Sequence, residues 1–404
     1  MHQLQCMTCG RICADLGAAS CPRDGGVLDV LYDSVEIPLN HELPGIWRFA
    51  ARLPLTDSAH IVSLGEGDTP LLRSARLGTE NGLPRLYFKN EGMNPTGSYK
   101  DRIASVGISL MRQLGMPAWV AISSGNAGAS LSAYGAHAGV DGYLFTLERA
   151  PRAKIGQIIA YGPQIMSLRG LGYDPRVEAG AWQNVPRICQ INNWLMLITA
   201  RSFSPQSMEG AKTIAYEICQ QLKGDAPDVV YVPVGGGGLL SCIWKGFREW
   251  RDAGNIDRLP RMVAIQPAGC DPVAQAWRED RAIVPLDDCT SAVSGIILTA
   301  PPDGDLVLND LRESEGWAVT IADEITYQAQ AELANREGLF VEPAAAITWA
   351  AVKADLAAGR LTGAEKVACV LTGIGFKDSK AVQRMSENVT VPLVDVDEIM
   401  RLEP

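Results

Sequence analysis

The sequence predicts an α/β protein with mostly parallel strands, preceded by a small cysteine-bearing ribbon. Three observations carry that expectation. Apolar strands run straight into small-residue loops and then into helical patterns, at Trp119 to Ser123 and again at Asp228 to Val234. Further strands and helical stretches alternate along most of the chain, the mark of parallel-sheet architecture. The first residues instead hold two knuckle-like turns, Cys6-Met7-Thr8-Cys9-Gly10 and Cys21-Pro22-Arg23-Asp24-Gly25-Gly26. A chain of 404 residues, 47% of them hydrophobic, is long enough for two or three domains around a large core.

Cys6, Cys9 and Cys21 offer three thiolates, and Asp24 or Cys13 could complete a tetrahedral zinc set. The ribbon reads as a structural appendage. Leu64 to Leu71 forms a polar turn, and Leu86 to Lys89 a short strand. That strand feeds the stretch around which the chain is organised, Phe88 to Arg102, reading FKNEGMNPTGSYKDR. Asn94-Pro95-Thr96-Gly97 is a turn, and Ser98 is expected to cap a helix that begins near Lys100. Ile103, Val106, Ile108, Leu110 and Leu114 give that helix its apolar face. A lysine in a first helical turn lies in the positive field of the dipole, which together with burial favours a neutral amine able to form a Schiff base with an aldehyde.

The strand ending at Ser123 opens into Ser123-Ser124-Gly125-Asn126-Ala127-Gly128, a loop whose amides suit an anion. Strands at Gly139 to Phe145 and Gln164 to Leu168, with a helix at Lys154 to Ala160, suggest a small parallel sheet over about residues 90 to 195. A helix at Glu209 to Leu222 and the strand at Asp228 to Val234 come next. Gly235-Gly236-Gly237-Gly238 and a helix from Leu239 to Phe247 follow, an arrangement that cradles phosphate on backbone amides. Leu240 breaks the dinucleotide glycine pattern, and no GK[ST] follows. Met262 to Gln266 is another strand, Ala331 to Phe340 closes a helix, and Pro343 opens the next. Val367 to Leu371 is the last strand, with Thr372 at its C-terminal end, where open α/β sheets bind ligands.

Lysines and arginines number 36 against 46 acidic residues, a net charge of −10 that argues against a broad nucleic-acid surface. No apolar run is long enough to span a bilayer, and MHQLQCMTCG lacks the order of a signal peptide. A cytoplasmic protein with its ten cysteines reduced is the expectation.

A Schiff-base lysine, an anion loop, a polyglycine cradle and a terminal hydroxyl together suit one cofactor, pyridoxal phosphate. The chain resembles the threonine synthase-like members of the fold-type-II pyridoxal-phosphate enzymes. The resemblance rests on GEGDTPL from Gly65, NPTGSYKDR from Asn94, Ser124-Gly125-Asn126, Val234 to Gly238, GLFVEP from Gly338 and LTGIGFKD from Leu371. It implies two open, mostly parallel αβα sheet domains with the cofactor in the cleft between them, beside the N-terminal ribbon. Residues 1–34 would form the ribbon, 35–89 with 200–390 the large domain, 90–199 the small domain and 391–404 a tail.

The resemblance further implies that Lys100 holds the cofactor and later removes the substrate's α-proton. Asn126 would meet the ring hydroxyl, Gly235, Gly236, Gly237 and Gly238 the phosphate, and Thr372 the ring nitrogen. The backbone of Ser123, Ser124, Gly125 and Asn126 would hold the carboxylate of a small amino-acid substrate. A homodimer is implied as well. Threonine synthases often carry Asn-Pro-x-Arg where this chain has Ser204-Pro205-Gln206-Ser207. Arginine is the preferred bidentate partner of phosphate, so the leaving group stays open. Arg149, Lys154, Arg201 and Lys212 are the replacement charges at hand. Elimination or replacement on an activated amino acid is the first expectation, and ammonia loss from serine or threonine the alternative.

Overall fold

Runs of β-branched and aliphatic residues form three sheets in the computed structural model, which describes residues 2–150, 152–387 and 389–396. Residues 397–404 of the expected tail and the side chain of Lys154 lie outside the described residues. At the N-terminus, His2–Cys6 pairs antiparallel with Ile12–Cys13 on one side and Leu28–Tyr32 on the other. A six-stranded sheet has the order Trp317–Ile321, Arg261–Pro267, Val229–Pro233, Val367–Leu371, Leu86–Asn90, Leu71–Arg73. Its first five strands are parallel, and the sixth is an antiparallel edge. The third sheet is parallel throughout, in the order Gln164–Leu168, Asp141–Leu147, Ala118–Ile122, Leu195–Met196.

Side chains alternate across a strand, and the two cores of the large sheet follow that period. Val230, Val232, Ala368 and Val370 join one core with the helices Pro205–Gln221 and Gly238–Asp252. Val229, Tyr231, Val367, Cys369 and Leu371 face the other, under the helix Pro343–Ala357. Both central strands are buried along their whole length, as a parallel sheet covered on two faces requires. No helix among the described residues is long and apolar enough to cross a membrane.

Several local expectations change. Ser98 does not cap the helix Lys100–Gln113: its backbone bridges to Gly373, and its buried hydroxyl has no hydrogen-bond partner among the described residues. The strand expected from Gly139 begins at Asp141, because Gly139 takes the left-handed turn that ends the helix Asn126–Ala138. The helix expected to run to Phe340 ends in a π turn at Leu333–Glu337, with left-handed Gly338 stopping it. Cys270 and Cys289, expected reduced, are disulfide-bonded, and the eight other cysteines are free. A backbone bond from Thr290 N to Gly269 O brings that pair together, with Cα atoms 4.8 Å apart.

Charge, not only apolar packing, holds the layers in register. Arg102 sits two residues into the helix that Lys100 begins. Its Nε donates to Glu91 Oε2 at 2.7 Å, and its Nη2 to Glu217 Oε2 at 2.7 Å. Lys89 Nζ donates to the same Glu217 oxygen at 2.7 Å, and the side chains in these ion pairs are 0% exposed. Burial works against the charge of Glu217, yet Arg102 and Lys89 hold its carboxyl far below the ordinary range. Removing one member of such a network strands the rest in a medium that cannot solvate them. Arg102→Met is therefore expected to cost about 3–5 kcal/mol, read as a lowered urea midpoint of the full chain. An unchanged midpoint would show that the network carries no stability.

Candidate active site

Three adjacent strands of the large sheet end at one edge, and each delivers a loop there. Leu86–Asn90 leads to the Lys100 loop, Val229–Pro233 to Gly235–Gly238, and Val367–Leu371 to Thr372. In the four-stranded sheet, Ala118–Ile122 ends at Ser123, and its neighbour Leu195–Met196 leads to Thr199. Helix N-termini and unpaired amides gather at such strand ends, which is why ligands bind there.

Lys100 is the first residue of its helix and is half-buried. Its Nζ donates to Thr199 Oγ1 at 2.7 Å and lies 4.6 Å from the centre of the Tyr99 ring. Burial lowers its pKa from the usual 10.5 to about 8, while Glu342, Cys242 and Asp303 pull the other way. Burial thus moves the amine towards the expected neutral form. Thr372 is held beside it, for its carbonyl accepts from Tyr99 N at 3.1 Å.

Thr372 and Asn126 come together on a residue that the motif reading left without a role. Thr372 Oγ1 donates to Glu342 Oε1 at 3.4 Å. Asn126 Nδ2 lies 3.2 and 3.1 Å from the two Glu342 oxygens. Glu342 is 7% exposed, and a Cβ on Gly373 would stand 2.6 Å from its Oε1, so a side chain there would displace the carboxylate.

The tetraglycine is a cradle. Among the described residues, none of the amides from Gly235 to Leu240 donates to a protein acceptor. Gly237 has φ +97°, and a Cβ there would lie 2.7 Å from Asp303 O. A Cβ on Gly238 would meet Asp303 Oδ2 at 2.6 Å. Asp303 in turn accepts from Arg201 N at 2.7 Å and Ser202 N at 2.9 Å, and donates its own amide to Gly236 O at 2.8 Å. A phosphate fits this cradle, and Gly237 is imposed there by its backbone conformation and by the Asp303 carbonyl behind it.

In the other loop the residues divide. Ser123 N continues the sheet to Phe145 O at 2.9 Å, and Ser123 Oγ accepts from Gly125 N and Gly128 N. Ser123 therefore braces the loop from inside. The amides of Ser124 and Asn126 donate to no protein acceptor among the described residues.

Three of the four replacement charges are engaged elsewhere. Arg201 pairs with Asp29 at 2.6 Å, and Lys212 lies between Glu209 and Glu249. Arg149 sits over the Tyr173 ring, and Ser207 Oγ is turned towards Gly107. Glu342, Thr199 and Asp303 are the site residues that sequence reasoning missed. Only Glu342 carried a signal, as part of GLFVEP.

At the start of the chain, Cys6, Cys9, Cys21 and Asp24 gather with one ligand atom from each within 4.8 Å of the others. Cys13 is not among them, since its Sγ is directed to Asp15 O. Gly26 has no room for a side chain, as a Cβ would stand 2.9 Å from Cys6 Sγ. Three thiols and a carboxylate at this spacing suit zinc.

The family profile described as "Pyridoxal-phosphate dependent enzyme" matches residues 62–373. The chain belongs to that family. Among its relatives is a threonine synthase of Methanocaldococcus jannaschii, 37% identical over 94% of this chain and 93% of the relative. The threonine synthase of Methanosarcina acetivorans is 35% identical over 99% and 98%. Solved structures agree on the fold. A processed threonine deaminase isoform from Solanum lycopersicum gives a TM-score of 0.67 at 17% identity, covering 90% of this chain and 97% of that one. Maize serine racemase gives 0.65 at 22%, covering 79% and 92%. The protein is accordingly a pyridoxal-phosphate-dependent lyase of the threonine synthase type, with a fold-type-II architecture.

A pH dependence follows for this pyridoxal-phosphate enzyme. The sequence expects Lys100 to take the cofactor's aldehyde; only the neutral amine does so, and with its pKa near 8 rather than 10.5 Lys100 is neutral in useful amounts at mild pH. Capture of pyridoxal phosphate by the cofactor-free protein should therefore quicken as pH rises through about 8 and level off above it. Stopped-flow absorption at several pH values checks this; a rise centred near 10.5 would contradict it.

Proposed function

We propose that this chain performs elimination or replacement on a small amino acid, with Lys100 as both anchor and proton carrier. The observation that carries the reading is the position of Lys100, a low-pKa amine where the strand ends of both sheets converge. The amides of Gly235, Gly236, Gly237 and Gly238 would hold the cofactor's phosphate. Asn126 and Thr372, which share a contact with Glu342, would meet its ring hydroxyl and ring nitrogen. Pyridoxal phosphate, when bound, supplies an electron sink for the carbanion left at the α-carbon. Lys100 Nζ takes the α-proton, and the free amides of Ser124 and Asn126 hold the substrate carboxylate within its reach. Thr372 would bring a hydroxyl rather than a carboxylate to the ring nitrogen, which does not enforce its protonation and suits loss of a β or γ leaving group.

The identity to threonine synthases across nearly the whole chain supports O-phosphohomoserine as substrate, with water as the incoming nucleophile. Ser207, in place of a phosphate-binding arginine, favours a second reading, ammonia loss from serine or threonine. The purified protein decides between them. O-phosphohomoserine should yield threonine and phosphate; production of 2-oxobutyrate and ammonia from threonine would transfer the assignment to the second reading. Lys100→Ala should abolish the visible absorption of the bound cofactor and lower turnover by at least about 10²–10⁴-fold, the worth of a positioned acid or base. A retained band would remove Lys100 from its role.

The three separate sheets support the division into a ribbon at 1–34, a large domain of 35–89 with 200–390 and a small domain of 90–199. This reading includes a homodimer, as the resemblance implies, and a cytoplasmic location, which the eight free thiols support. It also includes zinc on Cys6, Cys9, Cys21 and Asp24, supported by their proximity. Changing Cys6 and Cys9 to Ser should take bound zinc from about one ion per chain to near none, as one tetrahedral site requires, with cofactor absorption kept. Metal analysis showing no change would end the zinc assignment.

A further inference from the structure

The N-terminal ribbon does more than lie against the body of the protein. Asp29 Oδ1, on the ribbon strand Leu28–Tyr32, accepts from Arg201 Nη2 at 2.6 Å and from Lys245 Nζ at 2.7 Å. Tyr32 OH donates to Glu209 Oε2 at 2.9 Å, and the Gln206 amide donates to Leu16 O. The ribbon strand that carries Asp29 is in register with the strand that carries Cys6: Gln5 faces Asp29, and Cys6 faces Leu28.

Arg201 is the pivot. Its side chain is 6% exposed, and its Nη1 donates to Ser241 Oγ at 2.7 Å. Its backbone amide holds Asp303, whose own amide is tied to Gly236 of the phosphate cradle. Two residues earlier, the Thr199 hydroxyl accepts from Lys100 Nζ. The segment is closed on itself: Ile198 N donates to Ser204 Oγ at 3.0 Å, and Ser204 N to Ala200 O at 2.9 Å. These bonds brace it as a closed loop. Beside it lies a cavity of about 300 Å³ bordered by Leu16, Cys189, Trp194, Phe203 and Gln206.

We infer that the ribbon is a positioning device for the active site: Asp29, acting through Arg201, holds Thr199 on Lys100 and Asp303 behind the glycine cradle. A buried guanidinium needs an anion, and the Ser241 hydroxyl is not one. Without Asp29, Arg201 turns towards another carboxylate or water, and the closed segment turns with it. Lys100 then loses its hydroxyl partner, and the cradle loses its backing. The inference rests on Lys100 being the cofactor lysine. Asp29 and Arg201 touch neither cofactor nor substrate, so they are positioning residues.

The test compares Asp29→Asn and Asp29→Glu with Tyr32→Phe in the full-length protein. Tyr32→Phe removes a ribbon contact that does not involve Arg201. One readout is the kcat and KM split of the cofactor-loaded enzyme. The other is the pH midpoint at which Lys100 is acetylated by a small amine-reactive reagent, quantified by peptide mass. Asp29→Asn should lower kcat by about ten- to a hundredfold, the scale of a small misplacement, and leave KM within about twofold. It should also move the Lys100 midpoint by about half a unit or more, as loss of a hydrogen-bond partner does. Asp29→Glu should restore part of both, and Tyr32→Phe should change neither. Wild-type kcat and midpoint in Asp29→Asn would overturn the inference, as would equal losses in Tyr32→Phe, which would reduce the ribbon to a docked appendage.

If Asp29→Asn does not fold, Thr199→Val keeps the ribbon untouched and should reproduce the Lys100 shift; an unshifted midpoint overturns the inference. Labelling needs no substrate. A wild-type protein that binds no pyridoxal phosphate would defeat the functional reading above, while the labelling comparison would still decide the clamp.

Discussion

Everything at the strand ends depends on a buried set of charges that never touches a ligand. Lys89 belongs to the strand that feeds the lysine loop, Arg102 to the helix that Lys100 begins, and Glu217 to the long helix packed across both. Glu91 lies in the loop between the first two. Apolar residues of the same size could fill this space, but they would not orient it, because dispersion is non-directional and charged hydrogen bonds are not. A two-sided fork from Arg102 to Glu91 and Glu217 fixes both the rotation and the height of the helix. Lys100 Nζ therefore has a defined place before any ligand arrives.

The neighbouring residue performs the same service towards the other sheet. Asp101 accepts from Thr96 N and Oγ1 at 2.6 Å, and from Ser130 of the helix Asn126–Ala138. Burial raises its pKa to about 6, a sign of how little water reaches the joint. Three successive side chains thus divide the labour: Lys100 for the chemistry proposed above, Asp101 for the small sheet, Arg102 for the large one. Glu342 closes the arrangement from above, taking Asn126 of one sheet and Thr372 of the other on a single carboxylate.

Much of this could be read in the chain itself, and the reason is locality. Strand, small-residue loop and helix are adjacent in sequence, so Gly235 to Gly238, Ser123 to Asn126 and Thr372 could be placed at strand ends from periodicity and turn chemistry. Lys100 could be placed at a helix start in the same way. What escaped reading depends on distant partners. Asn126 and Glu342 are 216 residues apart, Lys100 and Thr199 99, and Asp29 and Arg201 172. Ser98 had the composition of a cap but is drawn off by a bridge to Gly373. Arg201 had the charge of a phosphate ligand but is taken up by the ribbon.

By itself, then, the sequence determined the α/β class, the order of the loops, the amine and the glycines, because each follows from neighbours along the backbone. Tertiary structure decided which of those groups meet, and which charges are neutralised before a ligand can use them. It also decided that an N-terminal ribbon reaches the segment touching the lysine. Hydrogen bonds and ion pairs form between whatever folding brings within about 3 Å, and that proximity is set by the packing of the sheets as a whole, not by any stretch of chain alone.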